Sequence, residues 1–356
     1  MKNDNYTKEQ NTKLTMKLRE LINELPTFAE TFFRGIEPNT SIKTRIAYAF
    51  DLKTFFYYVT EELEKFYGKK GKKLKVQDLD QINALDIERY IEFLSFYSLP
   101  NYKNPEQYIT YTNSNSGKGR KLSTIRTFYR YFFKKELIMS NPAVLVDLPK
   151  TKEKPITRLE VDEVANLLDL IDSGDHLTPS QKKYHEHNKE RDLALIALLL
   201  GTGIRVSECV GLDLDHFNFE NNSFRITRKG GNETILYFSD EVQKILADYI
   251  AVRETLIPYS GHENAFFLSL QRKRLGVSAI QKLVKKYSGI ITPLKNISPH
   301  KLRSTYGTSL YRETGDIYLV ADVLGHKDVN TTKKHYAAIS DDQKRSAAKV
   351  VKLRED

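Results

Sequence analysis

The sequence has a single cysteine, Cys209, so no disulfide can form within the chain and a disulfide-stapled secreted scaffold is excluded. It has no apolar run approaching the roughly 20 residues that a membrane-spanning helix needs. No basic amphipathic segment carries the broad apolar face of a membrane-surface helix, so no membrane partner is expected. The opening stretch "MKNDNYTKEQNTK" lacks an apolar h-region, and export by a standard signal peptide is not expected. A reducing cytoplasm is therefore the expected address. There is no internal repeat of 20–50-residue period and no low-complexity tract, which sets aside solenoids and long disordered arrays.

What is present fits a globular protein of two domains. The 356 residues exceed what one core usually organises, and 40% are apolar while 29% are charged. Lysine and arginine outnumber aspartate and glutamate by 56 to 46, giving a net charge of +10 and a pI near 9.2. That balance favours a polyanionic partner, nucleic acid first, with a modestly basic enzyme acting on a small substrate as the alternative.

Hydrophobic periodicity predicts a mainly α fold with a small antiparallel β-sheet. Leu14, Leu18, Leu21 and Ile22 recur at helical spacing up to Pro26, and a second helix opens at Ser41 with Ile42, Ile46, Ala49, Phe56 and Val59 along one side. A third helix is read through "LDIERYIEFLSFY" and a fourth through "LSTIRTFYRYFFKKEL", with residues 99–121 between them as a long loop. On the fourth, Leu122, Ile125, Phe128, Tyr129 and Phe132 mark the core side, while Arg126, Arg130 and Lys134 repeat every four residues. With Lys43 and Lys121 these cations are candidate DNA contacts; a solvated face explains them equally well. The proline-rich stretch at 149–156 reads as a linker. After it come a helix capped by Thr157, a polar loop over 173–191, and "RDLALIALLL", apolar nearly all round as a central buried helix should be. His185 and His187 lie in the polar loop without a thiolate or paired carboxylate, so exposure to solvent is expected there and metal binding is not. "SFRITRKGGNETILYF" reads as a strand pair turning at Gly230 and Gly231.

Three helix junctions in the second half present cations suited to gripping a phosphate. In "GTGIRVSECVGL", Arg205 opens a helix and Glu208, three residues on, can orient its guanidinium. In "SPHKLRSTYGTSLY", Ser298 and Pro299 start a helix whose opening turn carries His300 and Arg303 beside unpaired backbone N–H groups. In "LGHKDVNTTKKHY", Gly325 stops one helix, His326 follows in the turn, and Asn330 caps a last helix bearing Tyr336. Lys229 sits at the hairpin tip. Phosphoryl transfer requires neutralised equatorial oxygens, an in-line nucleophile and a proton for the leaving oxygen. Two arginines, a lysine, two histidines and a tyrosine can meet these demands, and no acidic cluster accompanies them to hold Mg²⁺; no metal and no cofactor is expected.

In order, motif context and approximate spacing these residues resemble the tyrosine recombinase, or phage integrase, family. Length and single-chain layout are most similar to its Xer-type branch, of the stand-alone XerS kind. The resemblance implies a helical core-binding domain at 1–148, a linker at 149–156, a mixed α/β catalytic domain at 157–340 and a tail at 341–356, the two domains forming a clamp on double-stranded DNA. It implies Tyr336 as nucleophile, Arg205 and Arg303 on the non-bridging oxygens, His326 as a further donor, His300 as acceptor of the phenolic proton, Lys229 as acid for the leaving 5′-oxygen, and Glu208 in support. Tyr336 lies ten residues after His326, one more than in many members, which bears on the branch more than on the nucleophile. A homotetrameric synaptic complex, resolution of chromosome dimers at a dif-like site and control by a DNA translocase are the further expectations. A mobile-element integrase, a type IB topoisomerase and a DNA-binding protein with an idle site are the alternatives. The tail's apolar Ala347, Val350, Val351 and Leu353 would dock on a neighbouring subunit or on their own domain.

Overall fold

The structure, a computed structural model, describes residues 5–101, 104, 106–151, 156–228, 231–326 and 328–336, with 5–9, 331 and 334–336 described by backbone alone. Lys229, the Tyr336 side chain and the tail thus lie outside the described residues. Two compact units divide the chain, Met1–Glu153 and Lys154–Asp356, at a point inside the stretch read as a linker. Both are dominated by helices, and the strands form small antiparallel sheets.

The first unit contains α1 (Asn5–Asn23), α2 (Ala29–Ile36), α3 (Ile42–Glu62), α4 (Ala84–Phe93), strands β1 (Tyr97–Pro100) and β2 (Tyr108–Tyr111), and α5 (Asn115–Lys134). Helix α3 starts where expected, capped by Ser41, whose hydroxyl accepts from the Thr44 N–H at 3.2 Å. The core side read for α5 is the buried side: Leu122, Ile125, Phe128, Tyr129 and Phe132 are all buried. Phe128 meets Phe32 and Phe132 edge-on with ring centroids 5.0 and 4.9 Å away, so aromatic area from α2 and α5 supplies much of this core.

The span 99–121 is not one long loop. β1 and β2 form a hairpin with Tyr97 opposite Tyr111, and α5 begins at Asn115 in spite of its Asn, Ser and Gly content. The physical reason is a long-range partner. Asp51 of α3, fully buried, accepts from Arg120 at 2.5 and 2.7 Å, from Lys121 at 3.2 Å and from Thr124 at 2.8 Å. A buried carboxylate with several donors on one helix face holds that face in helical register against local propensity.

The second unit contains α6 (Val161–Ser173), α7 (Pro179–His185), α8 (Lys189–Thr202), α9 (Val206–Val210), β3 (Phe217–Asn218), β4 (Ser223–Thr227), β5 (Glu233–Tyr237), α10 (Asp240–Glu254), α11 (Val277–Ile291), α12 (Pro299–Thr314), α13 (Ile317–Leu324) and α14 (Val329–Tyr336). Helix α8 is central as expected: Ala194 to Leu199 are buried, and α6, α10 and α12 pack around it. Its buried Asp192 accepts from Arg191 and from the Tyr287 hydroxyl, tying α8 to α11. The antiparallel sheet runs β3-β4-β5, and Phe224 faces Leu236 across the β4–β5 hairpin.

Local details differ from expectation. The cap residue of α6 is Glu160, whose N–H donates to Glu163, and not Thr157. The polar loop contains α7, capped by Thr178 with Pro179 in the first turn. His185 is buried there and not exposed, its Nε2 lying 2.6 Å from the Ile171 carbonyl; that contact to α6 is what buries it. At α14, Asp328 accepts from the Asn330 N–H, taking the role assigned to Asn330.

Candidate active site

Arginines from separate elements meet at the C-terminal end of α13. Gly203 ends α8 with φ +62°, and a Cβ there would lie 2.4 Å from Tyr306 and 3.0 Å from Leu324. Only glycine meets both the left-handed backbone and this close approach. The turn delivers Arg205 to the start of α9, where Glu208 binds it twice: the Arg205 backbone N–H and Nη1 each donate to a Glu208 carboxylate oxygen at 2.8 Å. The Glu208 side chain is buried at 5% exposure while that of Arg205 retains 34%, so a fixed carboxylate aims a guanidinium that still reaches the surface. Its Nη2 donates to the Gly325 carbonyl at 3.1 Å.

Arg303 comes from the first turns of α12 and is buried. Its Nη1 donates to the Gly203 carbonyl at 2.5 Å and its Nη2 to that of Leu324. The two guanidiniums read from sequence therefore converge on adjacent carbonyls, 324 and 325, where α13 ends in the left-handed Gly325. The negative end of the helix dipole offsets part of their mutual repulsion. His326 follows directly; its Nδ1 lies 2.7 Å from the hydroxyl of Thr332, a fully buried residue of α14. His300 is exposed, one turn before Arg303. Tyr336 is the last residue of α14, which packs against α12 and α13.

Two residues at the site had no reading in the sequence. Thr332 is one. The other is Arg228, just past β4, whose Nη2 donates to the Val323 carbonyl at 2.8 Å. Burial lowers its pKa from the ordinary value; Glu208 counters this, and the nearby Arg205 guanidinium adds to the burial effect. The available signal was a second cation beside Lys229 in the hairpin.

Outside this cluster, the structure divides the DNA-contact candidates. Lys121 is buried on Asp51, and Arg126 donates to the carbonyls of Ala143 and Val146, so both serve the fold of the first unit. Lys43, Arg130 and Lys134 are exposed. Among the described residues, Asp213, Asp215 and His216 have ligand atoms within 4.8 Å of one another. Asp213 is engaged by Arg274, however, and the His216 Nδ1 accepts the Asp213 N–H, so this group is an ion pair with a turn cap. The Cys209 thiol is buried, and burial pushes its pKa up to about 12, which leaves it no nucleophilic role.

Residues 157–343, more than half of the chain, match the phage integrase family. The chain belongs to that family. Tyrosine recombinase XerC of Caldanaerobacter subterraneus subsp. tengcongensis is 32% identical over 347 residues, covering 96% of this chain and 89% of the relative. Tyrosine recombinase XerS of Streptococcus mutans is 29% identical over 367 residues, covering 95% and 99%. In fold, this integrase-family chain is similar to the XerH site-specific recombinase bound to its difH substrate, with TM-score 0.63 and 18% identity over 95% of this chain and 89% of that one. Its enzymatic class is that of the tyrosine recombinases. No helix among the described residues is long and apolar enough to cross a membrane.

Proposed function

We propose that this recombinase exchanges DNA strands at a specific duplex site through a 3′-phosphotyrosyl intermediate on Tyr336. The phenolic oxygen attacks the scissile phosphorus, the bond from phosphorus to the 5′-oxygen breaks, and Lys229 protonates that oxygen. His300 accepts the phenolic proton. The 5′-hydroxyl of a partner strand then attacks the phosphotyrosine and releases Tyr336. One phosphodiester replaces another, so the exchange needs neither ATP nor water. Arg205 and Arg303 neutralise the non-bridging oxygens, His326 adds a donor, and Glu208 holds Arg205 in line.

The observation that carries this reading is the convergence of Arg205 and Arg303 on the neighbouring carbonyls of Gly325 and Leu324, immediately before His326. Forks that reach acceptors one residue apart can also reach two oxygens of one phosphate. The biological role we propose is resolution of chromosome dimers in the cytoplasm at a dif-like site by a homotetramer, under control of a DNA translocase. Near-full-length similarity to XerC and XerS supports it. Both units would contact the same duplex as a clamp, with the exposed Lys43, Arg130 and Lys134 among the phosphate contacts of the first.

The test is a nicked duplex that traps the covalent complex. Wild type should accumulate a protein–DNA adduct, and Tyr336→Phe should bind the same site without forming one. A covalent adduct with Tyr336→Phe would end the nucleophile assignment. Mapping wild-type adducts on genomic DNA should find one locus; scattered element ends would indicate mobile-element integration instead.

A further inference from the structure

The α13 end is held by arginines on three successive carbonyls: Arg228 on Val323, Arg303 on Leu324 and Arg205 on Gly325. Arg303 and Arg205 have roles in the reading above. Arg228 does not, and its surroundings are unusual. Among the described residues, its buried Nε and Nη1 have no hydrogen-bond partner. It lies so close over Gly325 that a Cβ there would fall 1.3 Å from Nη1, and Gly325 has φ +61°. An arginine whose buried N–H groups lack acceptors, next to another guanidinium, opposes folding on its own account. A structure that keeps it there gains something from its position.

The backbone of Arg228 shows what that position controls. Its N–H donates to the Asn232 carbonyl at 2.8 Å and its carbonyl accepts from Gly231 at 3.0 Å, so Arg228 closes the β4–β5 turn from within. Its side chain fastens the same turn to the segment that leads into His326. Lys229 is the next residue in the sequence. One residue thus joins the base of the turn containing the proposed acid to the segment containing the proposed donor.

We infer that Arg228 is a positioning residue for leaving-group protonation, fastening the base of the Lys229 turn to the end of α13. The inference rests on the reading of Lys229 as the acid. Arg228 itself faces the Val323 carbonyl and the Gly325 backbone, so it acts through these segments and not by touching the phosphate. Loss of a positioning contact of this kind misplaces a reacting group by about 1 Å, which costs on the order of 10²-fold in rate.

The experiment compares two leaving groups in the full-length protein. Wild type, Arg228→Ala, Arg228→Lys and Lys229→Ala are given nicked duplexes whose scissile phosphate carries either the ordinary 5′-oxygen or a bridging 5′-sulfur. A 5′-thiolate departs without a proton, so sulfur bypasses the acid. On oxygen, Arg228→Ala should form covalent complex about 10²-fold more slowly than wild type, with site binding unchanged, and Arg228→Lys should fall between them. On sulfur, Arg228→Ala and Lys229→Ala should both approach wild type. If Lys229→Ala is rescued by sulfur and the Arg228 variants are equally slow on both substrates, Arg228 has only a structural role and the inference is overturned. If sulfur rescues neither residue's variants, the assignment of Lys229 falls and the inference falls with it. If sulfur rescues the Arg228 variants alone, the acid is not Lys229 and the inference, which rests on Lys229, is overturned. Should Arg228→Ala fail to fold, Arg228→Lys carries the same comparison.

Discussion

Replacing Arg303 separates what this side chain does for the fold from what it does for chemistry. It is 4% exposed and donates to two buried carbonyls, Gly203 on the α8–α9 turn and Leu324 at the end of α13. Hydrogen bonds from a charged donor contribute about 1.5–3 kcal/mol each, so Arg303→Ala should lose about 3–6 kcal/mol. Against a typical total of about 5–15 kcal/mol this is a large share. For a unit of this size it corresponds to a fall of about 6–24 °C in melting temperature. Arg303→Lys keeps the charge but has one compact donor group in place of a planar fork, and can satisfy one of the two segments at a time. It should lose about half as much stability by the same bond values. Cleavage should fall on the order of 10²–10³-fold in both variants, because either loses one of the two arms that meet the developing charge. Circular-dichroism melts of the full-length variants, beside covalent-complex formation on nicked duplex, read the two quantities independently. The reasoning is refuted if Arg303→Ala melts with wild type, since its carbonyl contacts would then carry no weight. It is equally refuted if Arg303→Lys cleaves at the wild-type rate, since the fork would be dispensable.

Asp51→Ala should destabilise the first unit by about 3–5 kcal/mol, because Lys121 and the Thr124 hydroxyl would lose their shared buried acceptor; a urea titration measures it, and an unchanged midpoint would remove Asp51 as the tie between α3 and α5. Alkali should weaken the fold in a definite window. Burial raises Cys209 to about 12, and it also raises Tyr90 and Tyr129. Because these groups ionise more readily once unfolded, the stability tied to them is complete below the unfolded cysteine value of about 8.5 and is lost as pH climbs through the folded values. Denaturation midpoints taken from pH 8 upward should therefore fall, Cys209→Ala should delay the onset, and a thiol reagent should leave native Cys209 unmodified.

The helices legible in the sequence were those with one apolar face toward a core, as in α5, or apolar nearly all round, as in α8. The helix ends that could be read were the stop at the left-handed Gly325 and the start at Ser41. The β1–β2 hairpin and α7 were hidden because their composition is that of a loop, although the strands pair with each other and Thr178 caps α7 locally. Cations posed the same difficulty. Arg126 has the spacing of a surface stripe and Lys121 was a candidate contact beside it, yet two carbonyls and a buried aspartate turn them inward.

By itself the sequence determined the chemistry available to this protein: a basic surface, two arginines and two histidines at helix junctions, and a tyrosine near the end. Residue type and local spacing set which charges exist and which turn each occupies. Only the tertiary structure decided that Arg205 and Arg303 share a focus and that Arg228 is drawn to the same helix end. Those decisions depend on carbonyls of residues 323–325 lying opposite side chains up to 120 positions away in the chain. No local pattern encodes such a meeting, because it follows from how α8, α12 and α13 pack.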